Sequence, residues 1–177
     1  MRITRFTRCG AAGIASVALA GALALGMAQN VRAESTATSE KTLEGTWWVQ
    51  VSLLTDCVSR TPLTSFAALL TFAKGGTMTG ATTNASFAVG QRSGDHGIWS
   101  RNAAHTYTAS SVALLLFTSP PNFPVSPGFA AGSQRLDQAI ELTDDDHFTS
   151  DAVTTFFDVN GAEYRDGCAT ALGRRFQ

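Results

Sequence analysis

The stretch Gly45-Thr46-Trp47-Trp48-Val49-Gln50-Val51-Ser52-Leu53-Leu54 decides the fold. Trp47, Val49, Val51 and Leu53 recur at period two, the signature of a strand with one face toward a core. The same pattern returns along the chain. A second strand from about Ser65 to Lys74 carries Phe66, Ala68, Leu70 and Phe72 on one face, and Gly75-Gly76 then turns the chain into a third, from Thr77 to Val89. Gly97-Ile98-Trp99-Ser100-Arg101 reads as a fourth strand and His105 to Phe117 as a fifth. In the sixth, Leu136, Gln138, Ile140 and Leu142 alternate with Arg135, Asp137 and Glu141; Asp144-Asp145-Asp146 turns into a seventh, His147 to Val159. Asn160-Gly161 is a strong hairpin signal before the last strand, Ala162 to Phe176.

Eight strands joined mostly by short turns, with no amphipathic helix, predict an all-β fold: an eight-stranded antiparallel up-and-down β-barrel, with a two-sheet β-sandwich as the alternative. Closure pairs the first strand with the last and removes two exposed edges. The main interruption is Ser119 to Gly132, where four of the five prolines fall between 120 and 127 and deprive the backbone of ladder donors. It reads as a long loop.

Upstream, Arg2, Arg5 and Arg8 precede an apolar stretch from Ala11 to Met27, and Val31-Arg32-Ala33 offers a cleavage site. Residues 1–33 therefore read as a signal peptide, with a membrane helix as the alternative that its short length disfavours. Residues 34–42 form a mobile polar lead-in, and 43–177 a single domain. The expectation is an exported protein, secreted or periplasmic, without a stable membrane anchor. After cleavage, nine basic residues stand against 14 acidic ones, a formal charge of −5. That balance offers no basic stripe for nucleic acid or an anionic membrane surface. Cys57 and Cys168 then form an even pair in an oxidising compartment, read as a disulfide closing a 111-residue loop. Metal or redox thiols are the alternative, but neither cysteine lies in a C-x-x-C motif or beside a histidine.

Gly45-Thr46-Trp47 resembles the Gly-x-Trp signature of calycin barrels, the lipocalin, avidin and fatty-acid-binding group. That resemblance implies an arginine of the last strand packed over the tryptophan, and Arg174 and Arg175 stand in the right place. The resemblance makes Gly45, Trp47 and one of these arginines structural residues. The wider set Leu69-Leu70-Thr71-Phe72, Gly94-Asp95-His96-Gly97-Ile98-Trp99, Phe156-Phe157-Asp158-Val159-Asn160-Gly161 and Gly167-Cys168-Ala169-Thr170 is similar to small exported bacterial proteins of unknown function. If the first and last strands pair antiparallel, Trp47 with Arg174 and Cys57 with Cys168 nearly share one register, offset by four residues. Their spacings of ten and six are even, which keeps each pair on one face and selects Arg174 over Arg175. The offset requires a bulge, or Cys57 folding back from beyond the strand end.

Catalytic chemistry finds no motif. His96, His105 and His147 match no ligand spacing, the aspartate run lacks the alternating ligands of a calcium loop, and no serine sits in a nucleophile elbow. No cofactor and no metal is expected. The favoured function is a non-catalytic binder of a small apolar ligand inside the barrel, lined by Trp47, Val49, Val51, Phe66, Leu70, Phe72, Leu136, Ile140 and Leu142 with Gln138 as a polar handle. The same residues also suit a packed core. The alternatives are a structural or interaction protein acting through an apolar patch near Phe123, Val125 and Phe129, and a lyase or isomerase at the barrel mouth, with Gln138, His105 and Tyr107 as first candidates. Oligomeric state is left open by the sequence.

Overall fold

The structure, a computed structural model, describes residues 42–119 and 128–177. The expected signal peptide, nearly all of the polar lead-in, and Pro120 to Pro127 lie outside the described residues. The strands are β1 (Gly45–Leu54), β2 (Pro62–Phe72), β3 (Thr77–Thr82), β4 (Asp95–Arg101), β5 (Thr106–Leu115), β6 (Gly132–Leu142), β7 (His147–Asp158) and β8 (Glu163–Arg175). Each pairs antiparallel with the next, and β1 pairs with β8 to close an eight-stranded barrel. The sandwich alternative falls away, because every strand has a hydrogen-bonded neighbour on both sides.

Local chemistry explains where the strands start and stop. β2 begins at Pro62, earlier than expected, since a first strand position needs no ladder N–H. β3 ends at Thr82 rather than continuing to Val89 because Asn84 turns the chain: its side chain accepts from Ser86 N at 2.9 Å and its carbonyl from Phe87 N at 3.3 Å. Gly75 and Gly76 take the positive φ values that their turn demands, 95° and 88°.

The inward parity is the expected one. Trp47, Val49, Leu70, Phe72, Gln138, Ile140 and Leu142 are buried, while Val51, Phe66 and Leu136 are half-buried. Among the described residues the barrel is filled at one end only. There Leu43, Trp47, Phe72, Met78, Tyr107, Ile140, Leu142 and Phe148 form the core. Trp47 meets Phe148 edge-on at 5.0 Å and Phe72 meets Trp99 at 6.0 Å. Gly173 makes room for this packing, since a Cβ there would stand 2.1 Å from the Phe148 ring.

The β1–β8 seam carries a disulfide and a cation over a tryptophan ring. The disulfide joins Cys57 to Cys168, with Cα atoms 5.4 Å apart. The cation over Trp47, however, is Arg175 and not Arg174: the guanidinium carbon lies 4.2 Å from the ring centroid, and Arg175 is the register partner of Trp47. Arg174 pairs with Trp48 on the outer face. Parity misled because Cys57 lies beyond β1, in the turn after Leu54, where period-two alternation no longer holds. Cys57 folds back, as one of the two expected explanations of the offset required.

Candidate functional site

Among the described residues, the end opposite the packed floor is open. It is framed by the C-terminal ends of β1, β3 and β7, the N-terminal ends of β2, β6 and β8, and the β3–β4 and β5–β6 loops. A hollow of about 820 Å³ lies here, walled by Leu63, Phe66, Phe87, Phe129, Phe156 and Arg165 among others. Phe129 bridges two of these walls, with its ring centroid 4.5 Å from Phe87 and 4.8 Å from Phe156, and Arg165 covers it at 4.9 Å.

Gln91 fixes these loops to one another. It is fully buried; its Nε2 donates to Phe117 O at 2.8 Å and Ser119 Oγ at 2.9 Å, and its Oε1 accepts from Ala88 N at 3.0 Å. Ser119 Oγ in turn accepts from Phe129 N at 3.0 Å, so the Ser119 hydroxyl fixes the backbone that carries the Phe129 ring. The expected long loop, Ser119 to Gly132, thus contributes Phe129 to the wall, buried and not on an exposed patch, while Phe123 and Val125 lie outside the described residues.

Below the mouth lies a cavity of about 80 Å³ lined by Val49, Leu70, Asp95, Gln138, Ser150 and Ala171, with others. A polar strap crosses it. Arg92, carried inward by the β3–β4 loop, grips both Asp95 carboxylate oxygens at 2.6 and 3.0 Å and donates from Nε to Gln134 Oε1 at 2.6 Å. Gln134 Nε2 continues to Thr154 Oγ1 at 2.8 Å, and Thr154 donates to Arg135 O at 3.2 Å. The side chains of Arg92 and Asp95 are only 8% and 7% exposed, so the pair is desolvated and survives by its bidentate geometry. Gly80 leaves space for the carboxylate: a Cβ there would lie 3.2 Å from Asp95 Oδ2.

Between strap and floor stands a second polar group, on three adjacent strands. Gln138 of β6 faces Ala109 of β5 on one side and Ala152 of β7 on the other. Its diagonal neighbours on the inner face are Tyr107, Ser111 and Ser150, because Tyr107 and Ser150 flank Ile140 and Ser111 flanks Leu136. Tyr107 Oη, Ser111 Oγ, Gln138 Nε2 and Ser150 Oγ are buried without a hydrogen-bond partner among the described residues, in side chains 1 to 6% exposed. Buried polar groups are nearly always paired; of these four residues, Gln138 and Ser150 line the inner cavity, while Tyr107 belongs to the packed floor.

Of the expected lining, Val49, Val51, Phe66, Leu70, Leu136 and Gln138 face the cavity, whereas Trp47, Phe72, Ile140 and Leu142 belong to the packed floor. His105 lies in the β4–β5 turn at the floor end, away from Gln138 and remote from the mouth. His147 bonds Asp144 at 2.9 Å in the β6–β7 turn, and His96 is exposed on β4. Ser111 and Ser150 escaped the sequence reading although each shares the inward parity of its strand; Arg92 and Asp95 gave no periodic signal. On the outer wall, the 55–61 loop and the faces of β4 to β7 enclose a shallower hollow of about 650 Å³. Arg60 and Asp151 form an ion pair beside it. No protein-family model matches the chain, and a search of curated proteins finds no significant match.

Proposed function

We propose that this is an exported, non-catalytic binding protein that takes a small ligand through the open mouth into the barrel. The observation that carries the reading is a pair of buried polar atoms, Gln138 Nε2 and Ser150 Oγ, without a hydrogen-bond partner among the described residues, in side chains that line the inner cavity above a packed apolar floor. Leaving such a group unpaired costs about 1 to 3 kcal/mol, and a ligand that pairs it recovers that energy on binding. The aromatic wall of Phe87, Phe129 and Phe156 supplies an apolar surface for the ligand's body. Export is supported by the disulfide and by the signal-like residues 1–33. The Arg175 cation over the Trp47 ring supports the resemblance to calycin barrels.

An interaction role is the second reading, favoured by Val112, Leu114, Leu116 and Phe117, which are exposed in succession along and just beyond β5. The lyase or isomerase reading has the least support, since His105 sits at the wrong end of the barrel.

Native mass spectrometry of the protein purified from its own host, before and after organic extraction, tests the proposal. A reproducible extra mass lost on extraction is the expected result. A bare protein, together with failure of any small molecule to perturb the lumen, overturns it in favour of the surface role.

A further inference from the structure

Resting on the binding reading above, the geometry points to the ligand's chemistry: we propose that it enters head first, with a neutral head bearing a hydrogen-bond acceptor against Gln138 and an apolar body left in the mouth.

Three observations set the head's character. Gln138 Nε2 only donates, so its partner must accept, while Ser150, which lines the same inner cavity, carries a hydroxyl that donates or accepts as required. A carbonyl or hydroxyl head satisfies this set. Charge is excluded by the strap, because the guanidinium of Arg92 is engaged by Asp95, Gln134 and the carbonyl of Ser93, and the Asp95 carboxylate by Arg92. A carboxylate, phosphate or ammonium head would lose its water with no opposite charge left to meet it. Size follows from the inner cavity of about 80 Å³, in whose lining Ala152 stands directly beside Gln138 in the register.

The direction of entry follows from the order of layers. The floor end is sealed by Leu43, Trp47, Phe72 and Phe148, so the ligand approaches through the mouth. The mouth hollow is about ten times larger than the inner cavity, about 820 against 80 Å³, and has aromatic walls. An apolar body therefore fits above and a compact polar head below.

Hexanamide, hexanoate, hexylammonium and n-hexane form a matched probe set in which only the head changes. Binding is read from the methyl resonances of Ala109 and Ala152, which flank Gln138. Hexanamide is expected to bind about tenfold more tightly than any of the other three, since a site of buried hydrogen-bonding groups discriminates strongly against heads that cannot pair them. Gln138→Leu should erase that preference while leaving n-hexane binding in place, and Ser150→Ala should reduce it. Hexanoate or hexylammonium binding as tightly as hexanamide overturns the neutral head but leaves lumen binding standing. Equal binding of n-hexane and hexanamide overturns the polar head alone. If no probe moves either methyl resonance, the lumen reading falls and this inference with it.

Discussion

Gly45 and Arg175 hold the sealed end of the barrel together. Gly45 has φ of 123°, and a Cβ would stand 3.0 Å from Arg175 Nη1. Arg175 donates to the carbonyls of Thr42 at 2.8 Å, Glu44 at 2.6 Å and Asp145 at 3.0 Å while covering Trp47, whose Nε1 donates to Leu43 O at 2.9 Å. Gly45→Ala is expected to destabilise by about 1 to 3 kcal/mol, from backbone strain and displacement of the guanidinium. Arg175→Met should cost about 2 to 3 kcal/mol, combining charged hydrogen bonds with a cation–π contact, whereas Arg174→Met on the exposed face should stay within about 0.5 kcal/mol. Urea unfolding of the three variants checks this ordering; equal losses at 174 and 175 would refute the assignment. Deeper in the barrel, Asp95→Ala strands the buried Arg92 cation and should cost about 3 to 5 kcal/mol, measured in the same way.

The turns and loops carry much of the acid sensitivity, with the pKa of Asp137 on β6 lowered as well. In the β1–β2 loop, the Asp56 carboxylate accepts from the Ser59 hydroxyl, from Ser59 N at 2.7 Å and from Val58 N at 2.8 Å, which pulls its pKa down to about 2. Asp158 accepts from Ala162 N at 2.9 Å and Asn160 N at 2.8 Å, and Asp144 from Asp146 N at 2.7 Å; both are lowered as well. A carboxyl with a depressed folded-state pKa stabilises the fold above its unfolded value and loses that contribution as pH falls through the folded value. For Asp56 the loss runs from about pH 4 to about pH 2. Asp56→Asn should therefore flatten the fall of the unfolding midpoint in that window and leave the wild-type difference constant between pH 6 and 8. The same loop is tied to β8 by Cys57–Cys168, 111 residues apart. Replacing both cysteines by serine should cost up to about 4 to 5 kcal/mol in the chain-entropy account, read as a lower midpoint in urea.

Within the described barrel, a packed floor, a polar middle and an open mouth follow one another along one axis. Packing at the floor supplies order, and under the binding proposal the middle gives up stability to keep hydrogen-bonding groups for a ligand. Gln138→Leu or Ser150→Ala is therefore expected to raise the stability of the ligand-free protein by about 1 kcal/mol while weakening ligand retention. Thermal unfolding without ligand, set beside native mass spectrometry of the same variants, checks both halves. A fall in stability for both variants would mean that the polar group supports the fold itself.

Local sequence determined the number and order of the strands, most of their bounds, the inward face of β1, β2 and β6, and the cysteine pair. Period-two alternation and the turn chemistry of Gly75-Gly76 and Asn160-Gly161 act over a few residues, so they are legible without knowing the partner strands. Gln138 was visible for the same reason, as a polar side chain at an apolar phase of β6. Tertiary structure alone decided that Arg175 covers Trp47, because the β1–β8 register joins residues more than 100 apart and parity does not pass through the turn that carries Cys57. It alone brought Arg92 from a loop of no periodicity into the barrel, and set Tyr107, Ser111 and Ser150 around Gln138. Those meetings depend on the register of three strands at once, a property of the closed sheet and not of any segment within it.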